Sequence, residues 1–155
     1  MKLEPLKQWI CDGCGGLIES AKDGILEWIS EESKEHKYVI AHRISPYPDA
    51  GHGCSPHEHL RGRQWRPLTN LVGSDGLAYL LFCLQNRVVN VQELLEIIRR
   101  LQIPYYEQGR LHWKDAIEDG YLDDDAGADA ADYSQPVLQD LVETYSDGDD
   151  EEEEL

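Results

Sequence analysis

The stretch Cys11-Asp12-Gly13-Cys14-Gly15-Gly16 decides how the rest of the chain is read. Two cysteines separated by two residues can put both sulfurs on one side of a tight loop. The glycines adopt positive φ without a Cβ clash, so backbone N–H groups can turn toward the thiolates and leave room for an ion. Redox catalysis is the rival reading of any C-x-x-C pair. It requires the second cysteine to open a helix whose N-terminus lowers the thiol pKa. Cys14 leads instead into Gly-Gly-Leu-Ile and then Asp23-Gly24, a turn signal that reads as a hairpin. A structural metal is the preferred reading.

Zinc usually takes four N or S ligands in tetrahedral geometry, so two more must come from elsewhere in the chain. Cys54 is the obvious third. Cys83 lies in the apolar run Leu80-Leu81-Phe82-Cys83-Leu84, where a cysteine acts as a small hydrophobe, and it is set aside. The fourth ligand stays open among His42, His52, His57 and His59. Cys54-Ser55-Pro56-His57 has a C-x-x-H spacing that argues for His57. His42 ends the strand pattern Lys37-Tyr38-Val39-Ile40-Ala41, beside which a hairpin carrying Cys11 and Cys14 could pack, and the reading leans to His42. The expected set is Cys11, Cys14, His42 and Cys54 around a structural zinc.

The formal net charge is −17, but its position matters more than its size. Residues 123–155 hold nine Asp and five Glu with no Lys or Arg, whereas residues 1–122 hold 17 acidic against 14 basic residues. The acidity is a tail. Its last run, Asp147 to Glu154, repels itself and offers nothing apolar to offset chain entropy, so disorder is expected there. Hydrophobic content of 41% and four tryptophans can support a core, and no stretch approaches the apolar length of a membrane span. Met1-Lys2-Leu3-Glu4-Pro5-Leu6-Lys7 lacks the apolar segment of a secretory signal, and cysteines at metal-like spacing suit a reducing compartment, so a cytoplasmic location is expected.

Taken in order, Gln8-Trp9-Ile10, Leu17-Ile18-Glu19, Ile25 to Ile29 and Tyr38 to His42 read as strands, with a charged turn at Ser30 to Glu35. Residues 45–67 read as a long irregular segment, broken by Pro46, Pro48, Gly51, Gly53, Pro56, Gly62 and Pro67. This segment ends in Leu60-Arg61-Gly62-Arg63-Gln64-Trp65-Arg66. Arg61, Arg63, Trp65 and Arg66 are the candidate binding residues: three guanidinium groups around an aromatic ring could dock carboxylates, the chain's own tail included, or touch phosphates and stack on a base.

Beyond Pro67 the spacing turns helical. Ser74 or Asp75 can cap a helix through Leu77, Leu80, Leu81 and Leu84. Asn90 can cap a second through Leu101, with Glu93 completing a capping box. Pro104 suits the first turn of a third, which stops at Gly120. In the tail, apolar residues at 137, 138, 141, 142 and 145 form an amphipathic stripe that would either dock on the parent domain or fit a partner's groove.

The expected fold class is α+β: a small antiparallel zinc-stapled sheet at the N-terminus, a three-helix segment, and an acidic, partly disordered C-terminal tail. The divisions are a zinc-stabilised domain over 1–122 (β-rich 8–44, metal and arginine loop 45–67, helical 74–120) and a tail over 123–155 with a short helix at 135–145.

The residues Trp9-x-Cys11-x-x-Cys14-Gly15, Asp23-Gly24-x-x-Glu27-Trp28, Asp75-Gly76-Leu77 and Arg100-Leu101-x-Ile103-Pro104-Tyr105-Tyr106-Glu107 occur in this order. Their order resembles that of small uncharacterised bacterial and prophage-associated proteins with an N-terminal C-x-x-C-G zinc-binding motif. The resemblance covers residues 8–122 and implies no catalytic residue.

Catalytic zinc keeps an open position and a nearby carboxylate, and Glu58 stands between His57 and His59. No H-E-x-x-H, deaminase, phosphate-loop or serine-nucleophile motif accompanies it. The expected function is a non-enzymatic zinc-containing module that engages a protein partner, with a phage or mobile-element regulator as the role in view. The alternatives are an acidic, nucleic-acid-mimicking inhibitor of a nucleic-acid-binding protein, such as a host-defence protein, and a metal-dependent hydrolase. Direct nucleic-acid binding is not expected, since no broad basic patch accompanies the arginine loop.

Overall fold

The computed structural model describes residues 1–43 and 54–146. The chain divides into two compact units: Leu6–Gln102, and Met1–Pro5 together with Ile103–Leu155. The sequence boundary at residue 122 falls inside the second of these.

Among the described residues, five strands all fall in the Leu6–Gln102 unit. Strands β1 (Trp9–Ile10) and β2 (Leu17–Ile18) pair antiparallel across the cysteine turn. Strands β3 (Gly24–Glu31), β4 (Lys34–His42) and β5 (Arg63–Pro67) form a second antiparallel sheet in the order β4-β3-β5. The Asp23-Gly24 pair makes no hairpin: Ala21–Asp23 is a short 3-10 turn that leads into β3. The hairpin closes instead at Glu32 and Ser33, whose φ values of 49° and 66° give the left-handed pair that matches strand twist.

Strand β5 corrects the reading of residues 45–67 as irregular to their end. Pro67 is accommodated because it ends an edge strand, where a missing N–H breaks no ladder. Between Glu27 and Ile29 the register of β3 on β4 shifts, so that Lys37 and Tyr38 oppose Trp28 alone. Lys37 takes φ 59° at this bulge.

Helices α1 (Gly73–Asn86) and α2 (Val91–Gln102) come next in the chain. Neither Ser74 nor Asp75 caps α1: its N-cap is Val72, and no side chain bonds there. Asn90 does cap α2, its Oδ1 accepting from the Glu93 N–H at 3.2 Å. The Glu93 carboxylate accepts from the Lys37 N–H at 2.7 Å, which ties α2 to the bulge. Leu26 and Trp28 of β3, Leu80 and Cys83 of α1, and Leu94, Ile97 and Leu101 of α2 share one core with Trp9 and Ile18.

The other unit is helical, with α3 (Tyr106–Glu118) and α4 (Gln135–Ser146). Pro104 lies before α3 rather than in its first turn: Tyr105, at φ 66°, is the N-cap that separates them, and Gly120, at φ 74°, lies just past the helix end. Ala116, Leu122 and Leu141 are buried together, with Trp113, Val137 and Tyr145 packed against them, so the apolar stripe of α4 faces its own unit. The Gln108 amide holds three chain segments: it accepts from the Leu3 N–H at 2.7 Å and donates to the Met1 carbonyl and to Ser146 Oγ. The architecture is thus α+β, with four α-helices among the described residues: α1 to α3 in the segment expected to be helical, and α4 over the tail stripe expected to carry a short helix. The acidic run Asp147–Glu154, the segment 45–53 and His52 lie outside the described residues. Among the described residues no helix is long and apolar enough to cross a membrane.

Candidate metal centre

Three chain segments converge on one point. The β1–β2 turn supplies Cys11 and Cys14, the end of β4 supplies His42, and the segment before β5 supplies Cys54. Their ligand atoms all lie within 4.8 Å of one another. Cys14 Sγ stands 3.4 Å from His42 Nδ1. About 3.5 to 3.8 Å separates neighbouring donors around a tetrahedral ion at ordinary metal–sulfur and metal–nitrogen bond lengths, so this edge needs little adjustment.

The turn is shaped to solvate thiolates. Cys11 Sγ accepts from the N–H groups of Gly13, Cys14 and His42 at 3.3–3.4 Å, and Cys14 Sγ accepts from Gly16 N–H at 3.3 Å. Gly15 supplies the left-handed residue at φ 73°. Gly13 serves a different need, since a Cβ there would stand 2.0 Å from the Cys54 carbonyl oxygen. Only glycine lets the two cysteine segments approach this closely.

His42 is oriented from behind. Its Nε2 lies 2.8 Å from the Leu17 carbonyl oxygen, which accepts an N–H there and fixes the tautomer that leaves Nδ1 as the lone-pair donor. Asp12, between the cysteines, carries the turn's outer support. Its Oδ2 accepts from the Ile40 N–H and from Arg100 Nη1, each at 2.7 Å. Arg100 Nη2 donates to the Ile10 carbonyl, and the Trp9 indole donates to the Arg100 carbonyl. The last turn of α2 thereby holds β1, which leads into the cysteine turn, and Asp12 within it.

The rival histidines fall elsewhere. His57 is buried, and its Nε2 lies 2.7 Å from the Lys37 carbonyl at the bulge. Its backbone N–H donates to Glu27. His59 and Glu58 are exposed and outside the donor group.

Glu27, the one acid of the Ile25 to Ile29 run, is fully buried. Its carboxylate accepts from Ser55 Oγ, from the His57 N–H at 3.0 Å and from Arg63 Nε at 2.7 Å. This clasp fixes the residues just after Cys54. A lone acid in an apolar strand was the only sign of it in the sequence.

The binding residues do not act as one cluster. Arg63 and Trp65 pair with Ile29 and Glu27, whereas Arg66 pairs with Leu26. Strand alternation therefore sends Arg63 and Trp65 to one face and Arg66 to the other. Arg66 lies 4.0 Å above the Tyr79 ring of α1. Arg61 is exposed before the turn at Gly62. Arg43, which sequence reasoning passed over, stands 5.8 Å from the Trp65 ring centroid.

A second polar group lies between the sheet and the helices. Tyr38 OH donates to Glu35 at 2.9 Å, and burial, followed by the Glu35 charge, pushes the phenol well above its ordinary pKa. Trp28 stacks on Tyr38, with its indole nitrogen buried and without a hydrogen-bond partner among the described residues.

No family model, no curated protein and no solved structure matches the chain.

Proposed function

We propose that Cys11, Cys14, Cys54 and His42 hold one structural zinc, and that the chain is a non-enzymatic binding module of the cytoplasm, a phage or mobile-element regulator that works through a protein partner. The observation that carries this reading is the donor set: three sulfurs and one imidazole nitrogen within tetrahedral reach, with no carboxylate among them. Three thiolates and a neutral imidazole give a closed shell of soft and borderline donors, the composition typical of structural zinc. The ion would join the β1–β2 turn, the end of β4 and the segment leading to β5, in a unit whose sheets are too small to be stable alone. Metal hydrolysis is disfavoured, because Glu58 stands outside the donor group and all four positions are filled from the chain.

A second reading is favoured by the distribution of charge between the units. Residues 1–5 and 103–155 carry 19 acidic and 3 basic residues, while residues 6–102 carry 12 and 11. The acidity thus belongs to a folded helical unit and its tail, which would suit an inhibitor that presents carboxylates to the nucleic-acid groove of a protein partner.

Zinc counted per chain, together with melting before and after chelation, tests the metal reading. One zinc whose removal lowers Tm supports it, whereas a metal-free chain of unchanged Tm overturns it. For the acidic reading, competition with DNA for a DNA-binding protein should weaken steeply between roughly 50 and 300 mM salt, as the screening length shortens. Salt-independent competition would count against it.

A further inference from the structure

We infer that the face of β5 carrying Arg63 and Trp65 is a binding site for a nucleoside phosphate unit, with the base on Trp65 and the phosphate on Arg43 and Arg63. This goes beyond the metal reading and does not depend on the identity of the ion.

The site is a cleft of about 360 Å³ lined by Ile25, Arg43, Arg63 and Trp65. That volume lies in the range of small-ligand sites, roughly 300 to 1,000 Å³. Its floor is Ile25, buried in the sheet, and its wall is Trp65, which remains 46% exposed. A tryptophan ring offers a large flat apolar face, the kind of surface on which a planar ligand can stack. Arg43 covers this ring only loosely, its guanidinium carbon standing 5.8 Å from the centroid, near the outer limit of a cation–π contact. Arg66 on Tyr79, at 4.0 Å, shows what a closed stack looks like in the same sheet.

The charge in the cleft is held in place. Arg63 commits Nε to Glu27 and to Ser55 Oγ, at 2.7 and 3.2 Å. Among the described residues its two terminal nitrogens have no partner. A buried carboxylate thus fixes the guanidinium plane at its inner edge and leaves the outer nitrogens to a ligand, the fork geometry that suits a phosphate. Glu27 neutralises Arg63 formally, so the net attraction within the cleft comes from Arg43. Aromatic stacking beside arginines is how single-stranded nucleic acids and nucleotides are held without base readout.

This departs from the sequence expectation against direct nucleic-acid binding. That expectation treated Arg61, Arg63 and Arg66 as one loop cluster, whereas alternation removes Arg66 and the end of β4 adds Arg43. A free nucleotide and the end of a single strand present the same chemistry, and a mononucleotide probe set against an oligonucleotide separates them.

Calorimetric titration of the metal-loaded full-length chain at low salt, with AMP, adenosine, inorganic phosphate and a twelve-residue oligothymidylate, tests the site. AMP or the oligonucleotide should bind more tightly than phosphate. Trp65→Ala should weaken that binding by about tenfold, in line with the cost of losing a base stack, and Trp65→Phe should retain most of it. Arg43→Gln should weaken AMP more than adenosine. Tighter binding of the oligonucleotide than of AMP assigns the site to single strands, and equal binding assigns it to free nucleotide. Zinc content and circular dichroism identify any variant that has failed to fold, in which case Trp65→Phe and Arg43→Gln carry the test. The inference is overturned if neither AMP nor the oligonucleotide binds better than phosphate, or if well-folded Trp65→Ala binds them as the parent does.

Discussion

Arg100 Nη1 donates to Asp12 Oδ2 at 2.7 Å, so the last turn of helix α2 reaches the middle of the C-x-x-C turn 88 residues away in sequence. Arg100 is only 4% exposed and also bonds the Ile10 carbonyl, whereas Asp12 also takes the Ile40 N–H. The pair stands behind the cysteines and orients them without supplying a donor. Outer partners of metal ligands commonly change metal affinity by about 10- to 100-fold, and Arg100→Met should fall in that range. Competition with a chromogenic chelator measures it, and an unchanged affinity would show that the turn is set by its own glycines.

Glu27 and His57 hold the segment after Cys54, and their loss should be felt as stability before it is felt as metal. Glu27→Gln removes the charge from three hydrogen bonds at a fully buried position, with Arg63 partly screened by solvent. A cost of about 1 to 3 kcal/mol is expected, read as a lower urea midpoint. His57→Ala should cost about 1 to 2 kcal/mol through the orphaned Lys37 carbonyl. Both variants should retain one metal per chain, and loss of the metal from His57→Ala would reassign the fourth ligand.

Gly13→Ala isolates the approach of the two cysteine segments. The added Cβ would meet the Cys54 carbonyl at 2.0 Å, so the backbone must move. Metal affinity should drop severalfold or more, while Gly15→Ala, which meets open space at φ 73°, should cost only about 1 kcal/mol of backbone strain. Equal effects in chelator competition would contradict this.

The sign of the Tyr38 shift gives a pH dependence. Folding raises the phenol pKa, so below the unfolded value of about 10 both states are neutral and the full contribution is present. Above pH 10 the unfolded chain ionises while the folded chain does not, and stability falls as pH rises. Tyr38→Phe should lose about 1 kcal/mol at neutral pH with its Glu35 bond and flatten the alkaline decline. An alkaline profile unchanged in Tyr38→Phe would assign the decline to other groups.

Local chemistry decided which features were legible in the sequence. The C-x-x-C-G turn, the choice of Cys54 over Cys83 and the Asn90 cap each rest on residues whose roles depend on near neighbours. The lean to His42 over His57 rested on its place at a strand end. Features that depend on remote partners were not legible. Strand β5 is polar and lies between Gly62 and Pro67, so nothing in its own pattern marks it, and only the exposed edge of β3 makes it a strand. The burial of Glu27 was not legible because its partners Ser55, His57 and Arg63 lie about thirty positions onward. The Asp23-Gly24 signal was real as a turn but served a 3-10 entry rather than a hairpin. In the tail, the α4 stripe was visible, but its packing against α3 depended on a face that only the helix pair defines.

X-ray absorption at the zinc edge, on the wild-type chain and on His42→Ala, reads the coordination shell itself. One zinc per chain in a shell of three sulfurs and one nitrogen is expected, with the nitrogen lost or replaced by a light solvent atom and affinity reduced in the variant. A chain purified without zinc, a two-sulfur shell, or a His42→Ala spectrum and affinity identical to wild type would contradict it.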